Sequence, residues 1–175
     1  MSDSTDRDSA AAEHQRAVQQ FLLAARAVPA SDWERSMTHE KWSPAQVAEH
    51  LRLTYVVVGQ QLAGGAGIRV RAPWWLRFIL RRRILPRILS TGVFPVGARA
   101  PSELRPSAGP FEREPVLSAM AVAANAAEAA MARAWDDPSP RMTHHVFGGL
   151  RAPTALSLLT VHTAHHAGQL APRAD

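Results

Sequence analysis

The sequence predicts an all-α fold, a single helical bundle, on three observations. Apolar residues recur at spacings of three and four in four separate segments. Helix start and stop signals bracket those segments. A long connection rich in proline, glycine and arginine separates the second from the third, which argues against simple up-and-down connectivity. No internal repeat and no convincing strand pair stands out. A chain of 175 residues fits one domain and can bury a core without disulfides. Residues 1–9 read as a flexible polar leader and 10–172 as the bundle domain.

The first helix is expected from the recurrence of Ala11, Val18, Phe21, Leu22, Ala25 and Val28, and it ends at Pro29, Ser31 and Asp32. Ser43-Pro44-Ala45-Gln46 is a helix start, with serine at the N-cap, proline at the first helical position and glutamine at the third. The second helix then presents Val47, Leu51, Thr54, Val58 and Leu62 on one face and stops at Gly64-Gly65. In the connection, the apolar, arginine-rich stretch around Trp74 to Leu89 reads as a short helix split by Pro86, followed by an irregular loop through Pro95, Gly97, Pro101, Pro106, Gly109 and Pro110. The third bundle helix, about Glu112 to Trp135, is alanine-rich and carries Val116, Met120, Ala124, Ala127, Met131 and Ala134 at helical spacing. The fourth runs from Pro153 or Thr154 to Leu170.

Composition excludes several classes. Cysteine is absent, which removes a disulfide framework, a thiolate metal site and a cysteine nucleophile, and suits a reducing compartment. The polar, acidic start is unlike a signal peptide, and arginines interrupt the Trp74 to Leu89 stretch before it can span a bilayer, so a cytoplasmic protein is expected. The net charge of +5 is local. Residues 69–87 hold seven arginines and no acid, leaving the rest of the chain slightly negative, so a surface coated for wrapping a duplex is not expected.

The histidines carry the chemistry. At 100° per residue, His162 and His166 lie about 40° apart and one turn along the last helix, so both imidazoles can reach one ion. Ala155, Leu158 and Leu159 share that face, which points the pair toward the core. On the second helix, His50 stands at the margin of the inward stripe and is the best third ligand. Geometry alone leaves the metal reading open, because a core-facing histidine is as readily satisfied by a carbonyl. His165 falls on the flank, as a supporting group or a competitor in register. His14 and His39, in polar surroundings, are expected at the surface. Glu49 is rotated about 100° from His50 and reads as a solvated helix residue.

Three blocks occur in order: Lys41-Trp42-Ser43-Pro44 leading to Glu49-His50-Leu51, then His145-Val146-Phe147-Gly148-Gly149-Leu150, then His162-Thr163-Ala164-His165-His166 with Gln169-Leu170. Together they resemble the DinB-like superfamily over most of the chain. The resemblance implies a four-helix bundle of up-down-down-up course, with the long crossover between the second and third helices, and a divalent metal site made by His50, His162 and His166. Two positions depart from it. Val146 stands where proline is frequent and should loosen the loop; Ala167 stands where arginine is common and should alter anion or cofactor binding near the site.

Three neutral imidazoles leave open positions on an ion such as Zn²⁺ or Ni²⁺, the arrangement of a reactive site. Similar proteins include transferases that use low-molecular-weight thiols, so the resemblance implies metal-dependent thiol S-transfer to a small-molecule substrate. Gln169 and His145 are expected beside the site, with His165 a further catalytic candidate. A metal-dependent hydrolase, with His165 or His145 carrying protons, is the alternative reaction. A third reading is a non-catalytic, metal-stabilised bundle. For Pro73 to Arg83, the plain expectation is a crossover helix packing its aromatics over the bundle or a homodimer partner while its arginines face water. Contact with an anionic membrane or with nucleic acid is the other reading.

Overall fold

The computed structural model describes residues 2–36, 41–66, 68–70, 72–95, 97 and 99–171. Five helices account for most of it: α1 (Ser2–Ala27), α2 (Pro44–Leu62), α3 (Trp74–Thr91), α4 (Arg113–Arg133) and α5 (Ala152–Leu170). A small antiparallel hairpin, β1 (Met142–His144) with β2 (Gly148–Leu150), precedes α5. α1 packs along α5 and α2 along α4, with further contacts between α4 and both α1 and α5, while α3 lies against α5. Phe21, Leu51, Tyr55, Leu117, Met120, Met131 and Leu156 are fully buried where these faces meet.

Local chemistry explains the boundaries. Ser43 Oγ accepts from the Gln46 amide at 3.2 Å, the Gln46 side chain accepts from the Ser43 amide at 3.1 Å, and Pro44 opens α2, as the start signal requires. α4 buries the expected Val116, Met120, Ala124, Ala127 and Met131. It also has the length and mean hydropathy, 1.3, of a membrane span, unlike the arginine-interrupted stretch from Trp74 to Leu89. Here it packs one face into the bundle, and that face carries the buried Glu128.

The structure corrects several expectations. α1 begins at Ser2, so the segment read as a leader is helical from that residue. α3 runs through Pro86 without a break. Pro86 is exposed, so the Arg82 carbonyl it cannot serve is left to water, while buried Leu85 and Ile88 seat the helix on either side. Gly92, at φ +66°, closes α3 by donating to the Ile88 carbonyl at 2.8 Å.

The aromatics of α3 are not packed over the bundle: Trp74 and Phe78 are 74% and 59% exposed. The hairpin was not expected, because three-residue strands are too short to show alternation. Gly148 sits at φ +73°, and a Cβ on Gly149 would lie 2.7 Å from Pro140 Cβ.

Two polar residues assigned to the surface are buried. Glu49 is 8% exposed and pairs with Arg52, Oε2 to Nε at 2.6 Å. His14 is fully buried in a hydrogen-bonded thread that joins four helices. Its Nδ1 lies 2.7 Å from Glu128 Oε2, its Nε2 lies 2.8 Å from Tyr55 Oη, and Tyr55 Oη lies 2.7 Å from Thr163 Oγ1. Gln15 donates to the second Glu128 oxygen at 2.8 Å. Burial lowers the His14 pKa, against the raising effect of Glu128, so the ring is neutral and takes its Tyr55 bond as acceptor. His39 lies outside the described residues.

Candidate metal centre

α2 carries His50 and α5 carries His162 and His166, and the packing brings all three to one point. His162 Nε2 stands 3.3 Å from His50 Nε2 and 3.1 Å from His166 Nε2, and the three ligand atoms lie within 4.8 Å of one another. His50 and His166 are 4% and 7% exposed, and His162 is half-buried.

The opposite edges of two rings set their tautomers. His50 Nδ1 donates to the Leu104 carbonyl at 2.7 Å, and His166 Nδ1 donates to Gln169 Oε1 at 2.8 Å. Each bond leaves an Nε2 lone pair aimed at the cluster. This is the support found behind metal-bound imidazoles. His162 Nε2 faces both lone pairs: as N–H it can donate to only one, whereas a cation can be shared by all three nitrogens. Two nitrogens about 2.05 Å from a tetrahedral ion would stand roughly 3.3 Å apart. The two Nε2 separations above match that spacing, so the residues present fit a divalent cation.

The electrostatics agree. Burial lowers all three pKa values, most for His162, where the positive forms of His166, His50, His165 and His144 add to the effect. Burial and the neighbouring His50 bring His166 down to about 3. The rings are therefore neutral ligands at physiological pH.

The triad opens into a cavity of about 910 Å³. Val58, Ile68 and Leu158 line its apolar side, with Leu80, Ile84 and Ile88 of α3 opposite the helices that bear the ligands. Lys41, Arg99 and Arg105 also line it, and among the described residues no aspartate or glutamate does. Glu49 is not beside the ligands but turned to Arg52.

The supporting candidates fall in place around the cluster. Gln169 bridges the last helix, accepting from His166 and donating through Nε2 to His165 Nε2 at 2.9 Å. His165 is half-buried, with its pKa lowered by burial, and its ring lies tilted against Phe94 at 5.0 Å between centroids. His145 lines the cavity from the hairpin turn.

Its neighbour His144 was not singled out from the sequence, yet burial and His145 lower its pKa to about 3 and it too lines the cavity. His144 Nδ1 accepts from the amides of Val146 and Phe147 at 3.2 and 3.3 Å. Val146 thus gives an amide that proline in its place would lack. A pair of adjacent histidines before Gly-Gly was the available signal, but no periodicity says which of two neighbours in a turn faces inward.

Fold and site together define a mostly helical protein whose buried histidine triad can hold a metal ion. The profile of the DinB superfamily matches residues 13–170, and the chain belongs to that superfamily. No curated protein and no solved structure matches it.

Proposed function

We propose that the protein is a metal-dependent transferase working in the cytoplasm, with zinc or nickel held by His50, His162 and His166 and a low-molecular-weight thiol as cosubstrate. The bundle made by α1, α2, α4 and α5, in the up-down-down-up course of its superfamily, serves as the scaffold. One observation carries the reading: three neutral imidazoles converge through Nε2 at the edge of a cavity that no carboxylate among the described residues lines. Bound there, a divalent cation supplies Lewis acidity that lowers the pKa of an entering thiol toward neutrality.

The chain's own residues do the rest. The Leu104 carbonyl and Gln169 hold two ligand rings in the metal-binding tautomer. The apolar lining excludes water from the electrophile, and His165 or His145 carries the proton released by the thiol. A cavity with no aspartate or glutamate among its described lining residues favours a nucleophile brought in by a cosubstrate over hydrolysis assisted by a carboxylate base.

Two measurements test this. Elemental analysis should find near-stoichiometric metal in the purified protein and little in a His162→Ala/His166→Ala variant; equal metal in both refutes the site. Consumption of a thiol in the presence of a panel of electrophiles should require the metal. Metal-dependent ester or amide hydrolysis without thiol consumption would instead establish the hydrolase.

A further inference from the structure

Helix α3 changes use along its length. At 100° per residue, Leu80, Ile84 and Ile88 fall within an arc of about 80°, and they and Leu85 are buried or half-buried. Trp74, Phe78, Trp75 and Ile79 of its first two turns share an arc of about 140° that takes in the direction of Leu85, at 74%, 59%, 53% and 49% exposure. The remaining large exposed apolar side chains, Leu23, Val93 and Val122, are scattered singly, so these four form the one such cluster among the described residues.

Charge surrounds this cluster. From Ile68 to Ser102 the chain has eight arginines and no aspartate, glutamate or lysine. Arg81, Arg82, Arg83 and Arg87 follow the cluster on the same helix and are exposed, with Arg69 just ahead of it also exposed. Arg82 lies over the Phe78 ring at 5.5 Å, and Arg81 donates to the Gly149 carbonyl at 2.9 Å. Among the described residues, none of the arginines from Arg69 to Arg99 pairs with a carboxylate.

We propose that α3 docks the protein onto an anionic lipid bilayer, with Trp74, Trp75, Phe78 and Ile79 entering the headgroup boundary and the flanking arginines meeting lipid phosphates. Tryptophan and phenylalanine on a helix edged with arginine match that boundary, where one side of the helix is apolar and the other wet and negative. Nucleic acid fits less well, since four large apolar side chains occupy the face that would meet phosphates. A symmetric pair of copies through this face would set arginine against arginine with no acid from this stretch between them. The inference does not depend on the metal reading. Its consequence is positional: Leu80, Ile84 and Ile88 line the cavity from the same helix, so a docked α3 stands between the bilayer and the histidine site.

Vesicle co-sedimentation of the full chain tests the proposal. Binding is expected to vesicles containing about a third phosphatidylglycerol at low salt, to be weak on pure phosphatidylcholine, and to fall sharply at about 1 M salt, where screening shortens the reach of charge to a few ångströms. Trp74→Ser/Trp75→Ser/Phe78→Ser should lower partitioning about tenfold or more through lost apolar area. Arg82→Glu/Arg83→Glu should lower it by at least about fivefold per arginine. Both variants change exposed side chains, so circular dichroism and metal content should match the parent. No binding to the anionic vesicles, or equal binding by the triple serine variant, overturns the proposal. So does a doubled mass in light scattering that this variant abolishes, which assigns the face to a second copy. Duplex DNA bound more tightly than the vesicles overturns it as well.

Discussion

Replacing Tyr55 by phenylalanine removes one oxygen from the centre of the buried thread. Tyr55, His14 and Thr163 are each fully buried, so water cannot take the place of the lost hydroxyl. His14 Nε2 loses the donor 2.8 Å away, and Thr163 Oγ1 loses its partner at 2.7 Å. Thr163 lies within α5 and can turn its hydroxyl to the carbonyl four residues back, as Thr160 does toward Leu156 at 2.9 Å. The imidazole has no such recourse, because its other nitrogen is held by Glu128.

The cost is therefore close to that of one unpaired buried acceptor, about 1–3 kcal/mol. For a chain of this length each kcal/mol moves Tm by about 2–4 °C, so the variant should melt roughly 2–12 °C lower. Thermal unfolding near neutral pH, followed by circular dichroism with metal removed by a chelator, reads the shift directly. The metal stoichiometry of the untreated variant should be unchanged, since no ligand is touched. A Tm within about 1 °C of the parent would refute the thread as a determinant of stability.

Other expectations follow from the same geometry. Gln169→Leu should weaken metal binding about 10–100-fold in a chelator competition, because His166 loses the partner that fixes its ring. The metal-free protein should lose stability as pH falls. His144 and His166, lowered to about 3 in the fold, refuse protons that the unfolded chain accepts near 6.5, so the stability present above about pH 6.5 drains away toward pH 3. A urea midpoint that holds or rises between about pH 7 and pH 4.5 would contradict this sign. Gly149→Ala places a methyl 2.7 Å from Pro140 Cβ and should cost about 1–3 kcal/mol in denaturant unfolding. Arg26→Ala breaks only an exposed ion pair with Glu114 and should stay within about 0.5 kcal/mol of the parent.

The contrast between correct and mistaken expectations has a physical pattern. The Ser43 to Gln46 cap was legible because every group in it lies within one turn of chain. His162 and His166 were legible as a pair because the helical period places them together, and the order of the three sequence blocks drew in His50. His14 was misread because flanking polarity says nothing about a partner far along the chain, and Glu49 because rotation away from the inward stripe does not say whether another helix covers that side. Glu128, whose carboxylate keeps His14 satisfied, is 114 residues away. Pro86 was read as a break because proline costs a helix one bond, and only the exposure of that position removes the penalty of leaving a carbonyl unserved.

By itself the sequence determined the helical periodicity, the caps, the lack of any thiol and the histidines able to serve an ion, all properties of residues within a few turns of one another. The tertiary structure alone decided that α2 and α5 meet with three Nε2 atoms at one point, that Leu104 and Gln169 set the tautomers of two of them, and that the aromatics of α3 face outward. Each of these depends on which faces of distant helices are pressed together. That choice is made by burial summed over the whole chain, and no local window of residues contains it.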